Sequence, residues 1–373
     1  MPPRTSPRRP ARGLRRSVAS IRLARARQRM RALGLDALLV SSPANIRYLC
    51  GFSGSNGLLA VTRTGGMFLT DSRYILQSRE EVRNFPRRIT ARGLAEELAA
   101  DGIRTPWRTV GVEADAVTYA GYRNMRSLFR GAKLVATAGV VEEIALVKGR
   151  EEIALLEEAA GVADRVFAAV VPLLRPGRTE SEIAAEISRL TILHGGDRDA
   201  FDVIVASGPR GALPHARPTS RRMRVGDFVV LDFGATVGGY SSDITRTVAL
   251  RRAGRRLRSA YDAVLRAQTD AIAAARGGMK ARDLDAVARE RISAAGFGRY
   301  FVHSLGHGLG LRVHERPRVS ALSSDMLESG SVITIEPGVY LPGIGGVRIE
   351  DDVLLGDHGC RLLTSSPREL MIL

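Results

Sequence analysis

Acidic side chains recur inside apolar, β-branched runs in the second half of this 373-residue chain, and nothing else constrains its fold as strongly. An ionised carboxylate in a buried strand is costly unless a cation or hydrogen-bond donors neutralise it. Two of these acids, Asp232 and Asp243, lie in VGDFVVLDFGATVGGYSSDITRTVAL, where glycines separate two β-branched runs. Such a pattern predicts a hairpin turning near Val237 to Gly239. With the turn centred between Val237 and Gly238, the two acids lie directly opposite each other on one face, with Cβ atoms roughly 5 Å apart. Carboxylates so close repel, and a shared cation relieves them.

Two more acids follow the pattern. Glu336 interrupts SVITIEPGVY just before Pro337 and Gly338, where a strand stops and side chains can converge. Glu350 closes GVRIE, and Arg348, two residues earlier on the same face, is placed to orient that Glu or a substrate carboxylate. Three of the six histidines, His303, His307 and His314, fall within HSLGHGLGLRVHE. The 303/307 spacing would suit a helical zinc protease, but Ser304 stands where that motif needs Glu, and Gly306, Gly308 and Gly310 disfavour a helix. An extended strand instead predicts both imidazoles on one face. His215 lies in a Pro- and Gly-punctuated loop before the Asp hairpin, a setting that often carries substrate contacts. His194 reads as a helix cap and His358 as a turn residue.

The order Asp, Asp, His, Glu, Glu, with LDFGA, SSDITRT, HSLGHGLG, TIEPGVY and VRIED around it, resembles the metallopeptidase family of aminopeptidase P, prolidase and methionine aminopeptidase. The match is most specific over residues 200–352. Upstream, RMRALGLDALLVSSPANIRYLCGFSGSNG and LTDSRYILQ look like the amino-terminal domain of aminopeptidase P and prolidase, which methionine aminopeptidases generally lack. The resemblance implies an α+β fold, with a pita-bread catalytic domain over 148–373 preceded by a smaller α/β, creatinase/prolidase-like domain over 18–140. It implies two divalent metal ions: Asp232 and Asp243 on the first, His307 and Glu336 on the second, with Asp243 and Glu350 bridging. His215, His303 and His314 would line the substrate site, supported by Arg348.

A water between two such cations is acidified toward neutrality. Glu336 is the candidate to pass its proton to the leaving amine, while histidines steady the developing oxyanion. One nitrogen and four carboxylates suit manganese first, with cobalt, zinc or iron as alternatives. The implied substrates are peptides with proline at the second position, and the implied assembly is a homodimer. GSNG followed by TDSRY leans the expectation toward an Xaa-Pro aminopeptidase, with an Xaa-Pro dipeptidase as the alternative. Creatinase-like hydrolases and non-enzymatic peptidase-like modules lack the full ligand set found in this chain. Arg312 stands where relatives usually place an acid, beside the ligand set.

The net charge of +17 would suggest a polyanionic partner, but the eleven arginines of residues 1–31 supply +11 of it. Only three lysines accompany 53 arginines, which points to coding bias. MPPRTSPRRPARGLRRS (1–17) has too few apolar groups to pack and no apolar signal region. It reads as a disordered tail or as an extension from a misplaced start codon. Without interleaved aromatics it argues against nucleic-acid binding. Cys50 and Cys360 form no disulfide framework, so a reducing cytoplasm is the simplest compartment. FAAVVPLL at 167–174 falls far below the roughly 20 residues of a membrane span.

Periodicity predicts helices near 18–34, 72–84, 92–101 and 117–130 around a strand at 36–42. A domain boundary near 140–152 precedes helices beginning at about 148 and 180, with Thr179, Glu180 and Glu182 as a start signal. Two further helices near 254–276 and 281–295 separate the Asp hairpin from the His segment.

Overall fold

A computed structural model of the chain describes residues 12–100 and 107–373, divided into two compact units at Ala145/Leu146. The Arg/Pro-rich tail lies, through residue 11, outside the described residues. Among them, no helix is long and apolar enough to cross a membrane.

The first unit is an α/β domain. Strands β1 (Ala37–Val40), β2 (Gly57–Thr62), β3 (Gly66–Thr70), β4 (Arg87–Ile89), β5 (Thr109–Glu113) and β6 (Lys133–Thr137) form one mixed sheet in the order β4-β3-β2-β1-β5-β6. All four residues of β1 are buried, which is why ALLV is continuously apolar rather than alternating. Helices α1 (Arg12–Ala32), α2 (Pro43–Cys50), α3 (Ile75–Glu81), α4 (Leu94–Ala100), α5 (Tyr119–Leu128) and α6 (Glu142–Ala145) complete it. The buried Glu113 carboxylate accepts from the backbone N–H groups of Ser41 and Ser42, at the start of α2.

The second unit repeats one order of elements. Helices α7 (Arg150–Val170) and α8 (Glu180–Leu193) precede β7 (Arg198–Asp199), β8 (Ile204–Ser207) and a hairpin made of β9 (Phe228–Phe233), β10 (Ala235–Val237), β11 (Tyr240–Ser241) and β12 (Ile244–Ala249). Helices α9 (Arg255–Ala274) and α10 (Ala281–Ala294) precede β13 (Gly306–Gly308), β14 (Glu315–Val319) and a second hairpin, followed by β19 (Cys360–Leu362). That hairpin comprises β15 (Val332–Ile335), β16 (Gly338–Leu341), β17 (Gly345–Arg348) and β18 (Asp351–Leu355). Each helix pair buries an apolar stripe against its own hairpin: Val166 and Ile183 with Leu231 and Ile244, then Val264 and Leu284 with Ile333 and Val353. The predicted start of α8 is a capping box, in which the Thr179 hydroxyl accepts from Glu182 N and the Glu182 carboxylate accepts from Thr179 N.

The first hairpin turns one residue later than its sequence suggested. Gly238 and Gly239 form the two-residue loop, with φ of 56° and 87°. Both central residues of such a loop need positive φ, which the β-branched Val237 disfavours. Asp232 therefore pairs with Thr245, and the expected direct Asp232–Asp243 opposition does not occur. The shift moves the pairing by two residues, so the register places Asp243 opposite Gly234.

Candidate metal centre

Acids stand where each hairpin's ladder is interrupted. The β9/β12 and β10/β11 ladders share one register and break at Gly234 and Asp243. A Cβ on Gly234 would lie 1.8 Å from the Ser242 carbonyl oxygen, so only glycine lets the two backbones approach this closely. The β15/β18 and β16/β17 ladders likewise share a register and break at Glu336 and Glu350, which face each other. Glu350 N donates to the Thr245 carbonyl at 3.1 Å and the Thr245 hydroxyl donates to Glu350 Oε2 at 2.6 Å, joining the two hairpins.

His307 enters from β13, held between β14 and β15. Its Nδ1 lies 3.0 Å from the Gly308 carbonyl and is therefore the protonated nitrogen. Nε2 is left as a bare acceptor, 3.7 Å from Asp243 and 3.6 Å from Glu336. Ligand atoms of Asp243, His307 and Glu350 all lie within 4.8 Å of one another. Burial and the neighbouring charge of Glu350 raise both Asp243 and Glu336 well above the usual carboxylate range. Burial, with Asp232 beside it, pushes Glu350 up to about 8. Asp232 Oδ1 and Asp243 Oδ1 are buried without a hydrogen-bond partner. Such unsatisfied, mutually repelling oxygens and one unprotonated imidazole nitrogen suit divalent cations of the hard-to-borderline class.

Arg348 is almost wholly buried, and its guanidinium points inward. It donates to Asp232, to the Thr245 hydroxyl (3.0 Å), to the Tyr340 hydroxyl (2.6 Å) and to the Pro214 carbonyl (3.3 Å). It thereby touches the acids and the His215 loop at once.

Three other histidines lie near this cluster. His303 precedes β13 instead of sharing a strand with His307, because pairing starts only at Gly306. His303 Nδ1 sits 2.8 Å from the Ser304 carbonyl, leaving Nε2 to accept from the Tyr340 hydroxyl at 2.9 Å. Burial, with the Arg348 charge nearby, lowers His303 to about 4, and burial, with His314 nearby, does the same for His307. The His314 ring meets that of His307 edge-on at 4.4 Å. His215, exposed on its loop, is close enough for its charge to act on both His303 and His314.

The model of metallopeptidase family M24 matches residues 154–357, and that of the creatinase/prolidase N-terminal domain matches residues 22–147. The chain belongs to metallopeptidase family M24. Over 342 residues it is 42% identical to the uncharacterized peptidase YqhT of Bacillus subtilis, covering 91% of this chain and 97% of that protein. It is 36% identical to the Xaa-Pro dipeptidase of Pyrococcus furiosus, covering 90% and 95%. Among solved structures, the Xaa-Pro dipeptidase of Bacillus anthracis superposes with a TM-score of 0.93 at 37% identity, covering 95% of this chain and all of that one. The X-Pro aminopeptidase of Thermotoga maritima superposes at 0.88 with 35% identity, covering 94% and 99%.

This M24 chain is thus a metallopeptidase with the two-domain pita-bread architecture, and all five acid and imidazole positions lie in its second unit. Sequence reasoning missed Tyr340, Thr245 and Asp352. Thr245 is the register partner of Asp232, and Asp352 Oδ2 accepts from Asp243 N at 3.0 Å. Tyr340 was within reach of the alternation, four residues beyond Glu336 along the same hairpin arm.

Proposed function

We propose that the chain is a metal-dependent Xaa-Pro dipeptidase. The observation that carries the reading is the buried convergence of Asp243, His307 and Glu350, with Glu336 against His307 and unpaired oxygens on Asp232 and Asp243. Asp232, Asp243, His307, Glu336 and Glu350 would hold two divalent ions, manganese first among the candidates. When bound, such a pair supplies Lewis acidity, bringing the pKa of a water toward neutrality and polarising the scissile carbonyl. Glu336 takes the proton from the attacking water and delivers it to the leaving proline nitrogen. His215, His303 and His314 orient the substrate and steady the developing oxyanion. Arg348 acts from behind, fixing Asp232 and the Tyr340 hydroxyl in place.

Relatives named Xaa-Pro dipeptidases support the dipeptidase over the aminopeptidase that GSNG and TDSRY favoured. The Thermotoga X-Pro aminopeptidase keeps the second reading alive. The test compares hydrolysis of an Xaa-Pro dipeptide with an Xaa-Pro-Xaa tripeptide by the manganese-loaded protein. Preference for the dipeptide is expected, preference for the tripeptide selects the aminopeptidase, and inactivity on both removes the two readings together.

A further inference from the structure

The irregular segments that carry His215 and His303 are each held by a fully buried carboxylate to which the peptidase reading gives no role. Glu180, at the first turn of α8, receives five donors. Oε1 accepts from Ser207 N and Ser207 Oγ, both at 2.8 Å. Oε2 accepts from Arg210 Nε at 3.0 Å, Thr219 N at 3.1 Å and Thr219 Oγ1 at 2.7 Å. Ser207 and Thr219 are the two ends of the loop whose exposed tip bears His215. Inside it, Arg210 Nη2 also donates to the Arg217 carbonyl at 2.6 Å. One carboxylate therefore closes the loop at its base, as compact surface loops require.

Asp285, on α10, holds the other segment. It takes a forked pair of bonds from Arg289, Nε to Oδ2 at 2.7 Å and Nη2 to Oδ1 at 2.9 Å, and Oδ1 also accepts from Leu305 N at 3.1 Å. The same guanidinium donates to the Phe301 carbonyl at 3.1 Å and the His303 carbonyl at 2.9 Å, and lies 4.3 Å above the Phe301 ring. The Leu305 carbonyl in turn accepts from Glu336 N at 2.8 Å. Each half of the unit thus places a buried acid on the second helix of its pair, partners it with an arginine, and uses both to fix a stretch of backbone that pairs with no strand.

We infer that Glu180 and Asp285 are positioning residues that set the His215 and His303 imidazoles against the substrate peptide. The inference rests on the peptidase reading for the role of the two histidines. Glu180→Gln and Asp285→Asn keep shape and remove charge. Hydrogen exchange on the full-length protein as purified is expected to quicken about tenfold in residues 208–219 for the first variant and in 301–305 for the second, each leaving the other segment unchanged. On an Xaa-Pro dipeptide with manganese, each is expected to lower kcat/KM by about 10- to 100-fold at unchanged metal content. The loss should not add to that of His215→Ala or His303→Ala respectively. Thr219→Val and Arg289→Lys, which leave both carboxylates in place, give losses of the same kind should the first pair fold poorly. Unaltered exchange in the clamped segment, or losses that add fully to the histidine substitutions, would overturn the assignment. A parent protein that cleaves no peptide would remove the peptidase reading, while segment-specific exchange would still decide the clamps.

Discussion

Tyr340 shows how much of the centre depends on residues that touch no candidate ligand atom. Its hydroxyl receives Arg348 Nη1 and donates to His303 Nε2, so one oxygen joins the guanidinium behind Asp232 to the His303 imidazole. Burial pushes the phenol up to about 12, which keeps it a neutral donor across the working range. Tyr340→Phe strands a guanidinium N–H and an imidazole nitrogen in a buried site. The expected result is a loss of about 1–3 kcal/mol of unfolding free energy. A fall in kcat/KM of about tenfold or more at unchanged metal content should accompany it, as for other groups that orient a metal site's neighbours. Denaturant melts and dipeptide kinetics check both, and activity within twofold of the parent would show the hydroxyl to be dispensable.

Breaks in the strand ladders set the next scale. Gly234 lies where the first hairpin's ladder is interrupted opposite Asp243, and an added methyl there meets a backbone oxygen that has no rotamer to escape into. Gly234→Ala is expected to destabilise the protein by about 3 kcal/mol or more, against less than about 0.5 kcal/mol for Gly131→Ala, whose added carbon would meet nothing within 4 Å. Comparing the two thermal melts checks this, and equal values would mean that the hairpin relaxes around the methyl. Elements of this kind were largely legible in the chain: the capping box at Thr179, the helix pairs and the acid-bearing strands all announce themselves through local chemistry. Register was not. Whether a turn centres on Val237–Gly238 or Gly238–Gly239 is a one-residue shift that periodicity does not resolve, yet it decides whether Asp232 faces Asp243 or Thr245. The His segment erred differently, because glycine spacing suggested one continuous strand where pairing begins only at Gly306. Bonds such as Arg348 to Asp232 span more than a hundred residues and leave no local signature.

At the level of the whole molecule, buried acids make stability depend jointly on pH and metal. Glu350 titrates at about 8, above its ordinary value, so the folded state without metal holds a proton that the unfolded chain has already released near neutrality. That contribution is fully present below the ordinary carboxylate range and is lost as pH rises through about 8. His303 and His307, lowered to about 4, are already neutral in the folded state, and the minority of imidazoles still charged in the unfolded chain at pH 7 offsets the effect only slightly. Metal-stripped protein is therefore expected to melt at a lower temperature at pH 8.5 than at pH 7, and manganese to raise the melting temperature more at the higher pH. A metal-induced shift that is the same at both values would argue against these carboxylates as the ligands. The shared register of the second hairpin carries a last consequence, for how such a chain can vary in length. Glu336 and Glu350 face each other because both ladders count from the same exposed tip, Pro342–Gly343–Ile344. A residue inserted within β15 would flip the acid's side of the sheet, whereas one inserted at the tip leaves the pairing below it intact. Evolutionary drift and engineered tags alike therefore have a permissive address at 342–344, within one hairpin's length of the chemistry.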